Sequence, residues 1–181
     1  DLPNPRRNPK GGSMPKSGNA RGQNRLRKGR FSEPGRPYLL TTVTAHRAPI
    51  FSEFWKARTV IGVLRREHES GRAYSHAFVL MPDHLHWLVS LPAGNSLGNL
   101  MRSVKGFSAR QLNRQWPPRE DDIWQKGFHD RALRQEEDLR EAARYLVANP
   151  LRAGLVKEIG DYPHWDAIWL GPGNDMGRAL D

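Results

Sequence analysis

The chain has 181 residues, a net charge of +10 at neutral pH and no cysteine. This length fits one domain with tails, and the missing cysteine excludes disulfides, thiolate metal sites and cysteine nucleophiles. No apolar run approaches the roughly 20 residues that cross a bilayer, and the N-terminus lacks the apolar core of a signal peptide. We therefore expect a cytoplasmic protein with a polyanionic partner, either nucleic acid or an anionic membrane surface. The six tryptophans favour nucleic acid, because exposed rings can stack on bases.

Residues 1–34 are rich in Pro, Gly, Asn, Ser, Arg and Lys and contain few apolar side chains. Such a segment cannot bury enough surface to offset the entropy of ordering, which predicts a disordered basic arm. Met14 is a candidate natural start, and the residues before it would then be an upstream or expression-derived piece. Residues 171–181 are predicted to form a flexible tail, which leaves 35–170 as the folded domain.

The rest of the chain alternates β-branched or aromatic runs with segments of helical periodicity. In chain order the predictions are a strand in 37–47, a helix over 52–70, a hairpin of strands 73–81 and 84–91 around a Pro-Asp turn, a helix over 96–116, a strand within 122–134 and a helix over 136–149. The order β-α-β-β-α-β-α predicts an α+β fold of the ferredoxin-like split βαβ type. In this fold the helices pack on one face of an antiparallel sheet, and here a C-terminal helix follows.

The second strand of the hairpin carries two histidines in the stretch "MPDHLHWLV". Because side chains alternate along a strand, His84 and His86 point to the same face and can converge on one cation. The same spacing also fits two partly exposed strand residues with no ligand. A divalent ion would need a further ligand. The candidates are Asp83, His129, Asp130 and Asn149.

The last predicted helix carries a tyrosine at the edge of its apolar stripe. At about 100° per residue, Tyr145 and Asn149 lie beside each other, roughly 90–130° from the centre of the stripe. A tyrosine in this position commonly packs at a core boundary. A metal site with a neighbouring tyrosine on a basic protein nevertheless suggests phosphoryl transfer, because a cation favours the phenolate and polarises the phosphate.

Several separated motifs occur together in a fixed order: "GRPYLLTTVTAHR", "MPDHLHWLV", a helix carrying "KGFS", "WQKGFHDR" and "ARYLVANPLRAGLV". Over 35–156 the chain strongly resembles the REP-associated tyrosine transposases, single-tyrosine members of the HUH endonuclease superfamily. The family usually has Asn where this chain has Asp83, which adds a negative charge next to the histidines.

This resemblance implies a role for each motif residue. His84 and His86 would be the metal-binding pair, Tyr145 the catalytic tyrosine, and Asn149 the polar residue that completes the metal site. The family cuts and rejoins single-stranded DNA at hairpins of repetitive extragenic palindromes, with Mg²⁺ or Mn²⁺ and a 5′-phosphotyrosine intermediate. The resemblance also implies a bacterial, nucleoid-associated protein that acts as a monomer or a homodimer.

Several basic residues outside these motif positions are candidates for DNA contact. They are Arg47, Arg102, Lys105, Lys126, His129 and Arg131. Arg102 and Lys105 fit a solvated basic helix face equally well, and His129 could be a structural histidine. The alternative function is a non-catalytic nucleic-acid binder on a ferredoxin-like sheet, and a third is a Zn²⁺ hydrolase that uses the same histidines.

Overall fold

The computed structural model describes residues 32–116, 122–134 and 136–168, with only the backbone described at 136–138. Most of the predicted arm and all of the predicted tail 171–181 lie outside these ranges. The predicted boundary of the arm at residue 34 is too late. Ser32 Oγ accepts a hydrogen bond from the Leu97 amide at 3.1 Å, and the Glu33 amide donates to the Tyr38 hydroxyl at 2.9 Å. Residues 32–34 therefore belong to the folded domain.

Within these ranges, the strands form one antiparallel sheet with the order β4-β1-β3-β2-β5. Its strands are β1 Pro37–Val43, β2 Tyr74–Met81, β3 His84–Ser90, β4 His129–Ala132 and β5 Trp165–Ala167. The first four were predicted within longer ranges. Sequence reasoning missed β5, because three residues are too few to establish an alternating pattern. The α+β class and the β-α-β-β-α-β-α order are confirmed.

Four α-helices accompany the sheet in the part of the chain that the structure describes. They are α1 Phe54–Glu69, α2 Leu97–Gln115, α3 Glu136–Val147 and the single turn α4 Asn149–Arg152. The predicted Ser96 cap of α2 is present, since its hydroxyl accepts from the Asn99 amide at 3.2 Å. The last helix ends two residues earlier than predicted. Pro150 lies in the first turn of α4, where its missing N–H is tolerated.

The two faces of the sheet pack against different helices. Leu40, Leu85 and Trp87 lie in one core cluster with the buried side chains of α1 and α2. Val79 and Leu88 lie in a second cluster with the buried side chains of α3. The prediction of helices on one face therefore holds for α1 and α2, whereas α3 packs on the opposite face. Among the described residues, no helix combines the length and apolarity needed to span a bilayer.

A buried carboxylate ties α1 to α2. Glu67 is fully buried, and its carboxylate accepts from Arg72 Nε at 2.7 Å and from Ser103 Oγ at 2.9 Å. Burial by itself would raise the pKa of Glu67, but the hydrogen bonds from Arg72 and Ser103 outweigh it and leave the pKa below its ordinary value. Glu67 therefore remains charged in the folded protein at neutral pH.

We expect Arg72→Met to lower the free energy of unfolding at pH 7, because it leaves the buried Glu67 carboxylate without its charged partner. The loss should be smaller than for a fully buried pair, because Arg72 is half exposed. A lowered carboxyl pKa contributes stability above the unfolded pKa, and this contribution is lost as the pH falls through the folded pKa. Urea unfolding should therefore show the mutational difference shrinking below about pH 4.5.

The control variant is Arg65→Met, which removes an exposed pair with Glu69 and should cost under about 0.5 kcal/mol. Equal losses in the two variants would show that the buried carboxylate has no special dependence on Arg72.

Candidate active site

The two histidines of β3 lie side by side on the sheet face that carries α3. They share the face of Leu88, because every second residue of a strand points the same way. The imidazole centroids of His84 and His86 are 4.8 Å apart, and the rings meet edge to face. Leu85 and Trp87 are buried in the other core cluster, as the alternation predicted.

Each imidazole is held by an oxygen at Nδ1. The distance from His84 Nδ1 to Asp83 Oδ1 is 2.5 Å, and the distance from His86 Nδ1 to Thr41 Oγ1 is 2.8 Å. Metal-ligating histidines commonly have this arrangement, in which a partner at one nitrogen fixes the ring and leaves the other nitrogen for the ion. The donor chemistry of the pair therefore fits a divalent cation through the two Nε2 atoms.

Asp83 supports the histidine pair from the turn before β3. Besides contacting His84, its carboxylate accepts from Arg47 Nη1 at 2.9 Å. Burial acts to raise the pKa of Asp83, but the hydrogen bonds from His84 and Arg47 outweigh it and hold the pKa below its ordinary value. An ionised carboxylate therefore faces His84 Nδ1 and fixes the orientation of the ring.

The environment of His86 keeps its imidazole neutral. Burial, followed by the electrostatic influence of His84 and Arg152, lowers the pKa of His86 to about 4. A neutral imidazole retains the nitrogen lone pair that binds a metal ion. His86 is therefore ready to bind a cation at neutral pH without first losing a proton.

A divalent cation at the histidine pair would need a third ligand. Across 32–116, 122–134 and 136–168, no group of three or more His, Asp or Glu side chains has metal-binding geometry. Of the four candidates for this ligand from the sequence, Asn149 is the one that is neither a His nor an Asp, and its amide oxygen therefore remains. Its Oδ1 accepts from Arg152 Nη2 at 2.7 Å, and its Nδ2 donates to the Leu146 carbonyl at 2.8 Å.

Tyr145 lies on the exposed side of α3, at the edge of the apolar stripe as predicted. Its side chain is 66% exposed, whereas its neighbours Ala143 and Leu146 are buried. The guanidinium carbon of Arg152 is 3.8 Å from the centroid of the Tyr145 ring. The phenol therefore belongs to a helix that packs on the histidine face and remains open to solvent.

The other three tyrosines are poor candidates for the nucleophile. Tyr38 and Tyr162 are buried, and their hydroxyls are hydrogen-bonded within the fold. Burial also raises the pKa of Tyr162 to about 12. Tyr74 is exposed, but it pairs with Ser90, six residues along β3 from His84 and therefore about 20 Å away. Among the tyrosines, only Tyr145 combines exposure with a helix on the histidine face.

The predicted DNA-contacting residues fall into separate groups. His129 and Arg131 are exposed on β4, and His129 lies opposite Thr41, which places it on the histidine face. Arg47 is at the Asp83 end of this face, and Lys126 is exposed in the loop before β4.

Arg102 and Lys105 lie elsewhere, on α2 and therefore on the opposite side of the sheet. The Lys105 amine donates to the carbonyls of Gln125 and Gly127, so it anchors the loop before β4. Thr41 and Arg152 contact the predicted site residues but were not predicted from the sequence. Arg152 could have been found from its spacing, because it follows Asn149 by three residues and Tyr145 by seven.

Residues 37–148 match the family model described as "Transposase IS200 like". The match covers more than half of the chain and includes His84, His86 and Tyr145, whereas Asn149 lies one residue beyond it. The chain therefore belongs to the IS200-like transposase family.

Named relatives support the same family. The REP-associated tyrosine transposase of Escherichia coli K12 is 30% identical over 89 residues, 49% of this chain and 50% of its own length. A counterpart from Haemophilus influenzae is 32% identical over 98 residues, 49% of this chain and 55% of its own length. The chain thus spans about half the length of the curated relatives it matches.

A solved structure of a REP-associated tyrosine transposase bound to a REP hairpin has a similar fold. Its TM-score is 0.64 at 22% sequence identity, and the match covers 75% of this chain and 79% of that chain. At this level of identity the likeness supports the fold of the sheet and helices.

Proposed function

We propose that the protein is a metal-dependent endonuclease and strand transferase for single-stranded DNA, acting at hairpins through a 5′-phosphotyrosine intermediate. One arrangement carries this proposal. An exposed tyrosine lies on a helix that packs on the same sheet face as two oriented histidines, in a chain of the IS200-like transposase family. The other tyrosines are buried or lie at the far end of the sheet.

The Tyr145 hydroxyl is the nucleophile in this proposal. Its oxygen forms a bond to the scissile phosphorus and its proton passes to solvent, while the bond from phosphorus to the 3′ oxygen breaks. The leaving oxygen takes up a proton and becomes a free 3′-OH. A 3′-OH that attacks the phosphotyrosine reverses the step, so strands rejoin without an external energy source.

His84 and His86 would hold a divalent cation through Nε2, with Asn149 as the candidate for a further ligand. Bound there, Mg²⁺ or Mn²⁺ would neutralise the phosphate and stabilise the charge that develops during transfer. Two nitrogen ligands favour Mn²⁺ over Mg²⁺, which prefers oxygen. Asp83 and Thr41 contribute by fixing the orientation of the two rings.

A DNA hairpin is the proposed partner because one structural relative is bound to a REP hairpin and this chain is strongly basic. Exposed His129 and Arg131 on the histidine face, together with Lys126 beside it, offer positive or polar contacts for a strand that approaches Tyr145. Phosphate contacts of this kind position a strand without reading its sequence.

The test is a cleavage assay with an end-labelled hairpin oligonucleotide in Mn²⁺. We expect a covalent protein–DNA adduct through the 5′ phosphate of one fragment and a free 3′-OH on the other. Cleavage without an adduct would indicate a water nucleophile, as in a zinc hydrolase. Binding without cleavage would indicate a non-catalytic DNA binder.

The basic arm should contribute affinity that is independent of DNA sequence. Between Arg6 and Arg30 there are nine Lys and Arg residues and no acidic residue. Deleting residues 1–30 should weaken binding to all oligonucleotides, and each lost phosphate contact should reduce the salt slope by about 0.7 for single strands. Fluorescence anisotropy across a salt series measures this slope, and an unchanged slope would show that the arm does not contact DNA.

A further inference from the structure

The guanidinium of Arg152 joins two residues of the proposed site through three contacts. Nη1 donates to the backbone carbonyl of Tyr145 at 2.8 Å, and Nη2 donates to Asn149 Oδ1 at 2.7 Å. The same group stacks on the Tyr145 ring, with its central carbon 3.8 Å from the ring centroid. The Arg152 guanidinium therefore contacts the backbone and the ring of the proposed nucleophile, and also the amide of the proposed metal ligand.

The stretch "ANPLRAGLV" explains how Arg152 reaches both residues. α3 ends at Val147, and Asn149–Arg152 form a separate helical turn that starts next to Pro150. This turn directs Arg152 back along α3 toward Tyr145. A planar guanidinium can stack on an aromatic face while its N–H groups donate at the rim, which a lysine ammonium cannot do.

We propose that Arg152 is a positioning residue for strand cleavage, which fixes the Tyr145 ring and the Asn149 amide relative to each other. This inference rests on the proposed function, in which Tyr145 attacks the phosphate and Asn149 faces the cation.

The kinetic test compares Arg152→Ala, Arg152→Lys and Arg144→Ala on a hairpin substrate in Mn²⁺. Misplacing a reacting group by about 1 Å can cost about 100-fold in rate, so we expect Arg152→Ala to lower kcat by about 100-fold with an unchanged KM. Arg152→Lys should be equally slow, because it retains the charge but loses the planar fork. Added guanidinium ions should restore part of the rate of Arg152→Ala.

Arg144→Ala is the matched control, since it removes the same charge from an exposed position next to Tyr145. Its kcat should equal that of the wild-type protein. Three results would overturn the proposal: full activity in Arg152→Lys, an equal loss in Arg144→Ala, or a raised KM with normal kcat, which would make Arg152 a DNA-binding residue.

A second readout does not depend on cleavage. In NMR spectra of the free protein, the side-chain amide signals of Asn149 should move toward free-amide positions in Arg152→Ala and stay unchanged in Arg144→Ala. A wild-type protein that cuts no hairpin would refute the proposed function and the positioning role together, even if these signals move. A wild-type protein that cuts, with a fully active Arg152→Ala, would refute the positioning role alone.

Discussion

Tyr145→Phe should abolish strand cleavage while leaving the fold and the binding of DNA intact. The variant loses one oxygen atom, which is the proposed nucleophile. In enzymes that form a covalent intermediate, removal of the nucleophile lowers kcat by at least about 1,000-fold. The ring remains under the guanidinium of Arg152, so the stacking contact is retained. Because the side chain is exposed, the free energy of unfolding should change by less than about 1 kcal/mol.

Single-turnover cleavage of a labelled hairpin measures this effect, and anisotropy measures binding in the same variant. Tyr74→Phe is the matched control, because Tyr74 is also exposed but lies at the far end of β2 from the histidines. It should cut at the wild-type rate. A Tyr145→Phe protein that cuts at a comparable rate would show that water or another side chain attacks the phosphate.

The second large effect is expected at the histidine pair. Replacing both His84 and His86 with alanine removes the two nitrogens that would hold the cation. Mn²⁺ binding measured by calorimetry should be lost, and metal-dependent cleavage should be lost with it. Affinity for the hairpin should change little, because the proposed strand contacts are on β4 and in the loop before it.

His76→Ala is a suitable control for the removal of a half-buried strand histidine. His76 is on β2, where its ring nitrogen lies 2.7 Å from Ser90 Oγ, at the opposite end of the sheet from His84. This variant should keep Mn²⁺ binding and cleavage. Unchanged Mn²⁺ binding by calorimetry in the double alanine variant would show that His84 and His86 do not bind the metal ion.

The sequence predicted the parts of the fold that follow from periodicity. Alternation along β3 correctly placed His84 and His86 on one face and Leu85 on the other. The helical stripe likewise placed Tyr145 at an exposed edge of α3. Both inferences needed only local geometry, because the direction of a side chain follows from its place in a repeating element.

Features that depend on tertiary packing could not be predicted from sequence periodicity. Periodicity shows that α3 has an apolar stripe, but not that the stripe packs on the face opposite α1 and α2. The hydrogen bond from the Lys105 amine to the Gly127 carbonyl likewise depends on how the loop before β4 packs beside α2. The three contacts of Arg152 depend on the break between α3 and α4, which sets the direction of its side chain.

The most direct measurement for the whole account is mass spectrometry of the trapped protein–DNA adduct. Wild-type protein is incubated with a hairpin oligonucleotide and Mn²⁺, digested with protease and nuclease, and searched for a nucleotide-bearing peptide. We expect a single modified residue, Tyr145, joined to the 5′ phosphate. A nucleotide on another residue, or complete cleavage with no adduct, would contradict a transfer mechanism that uses this tyrosine.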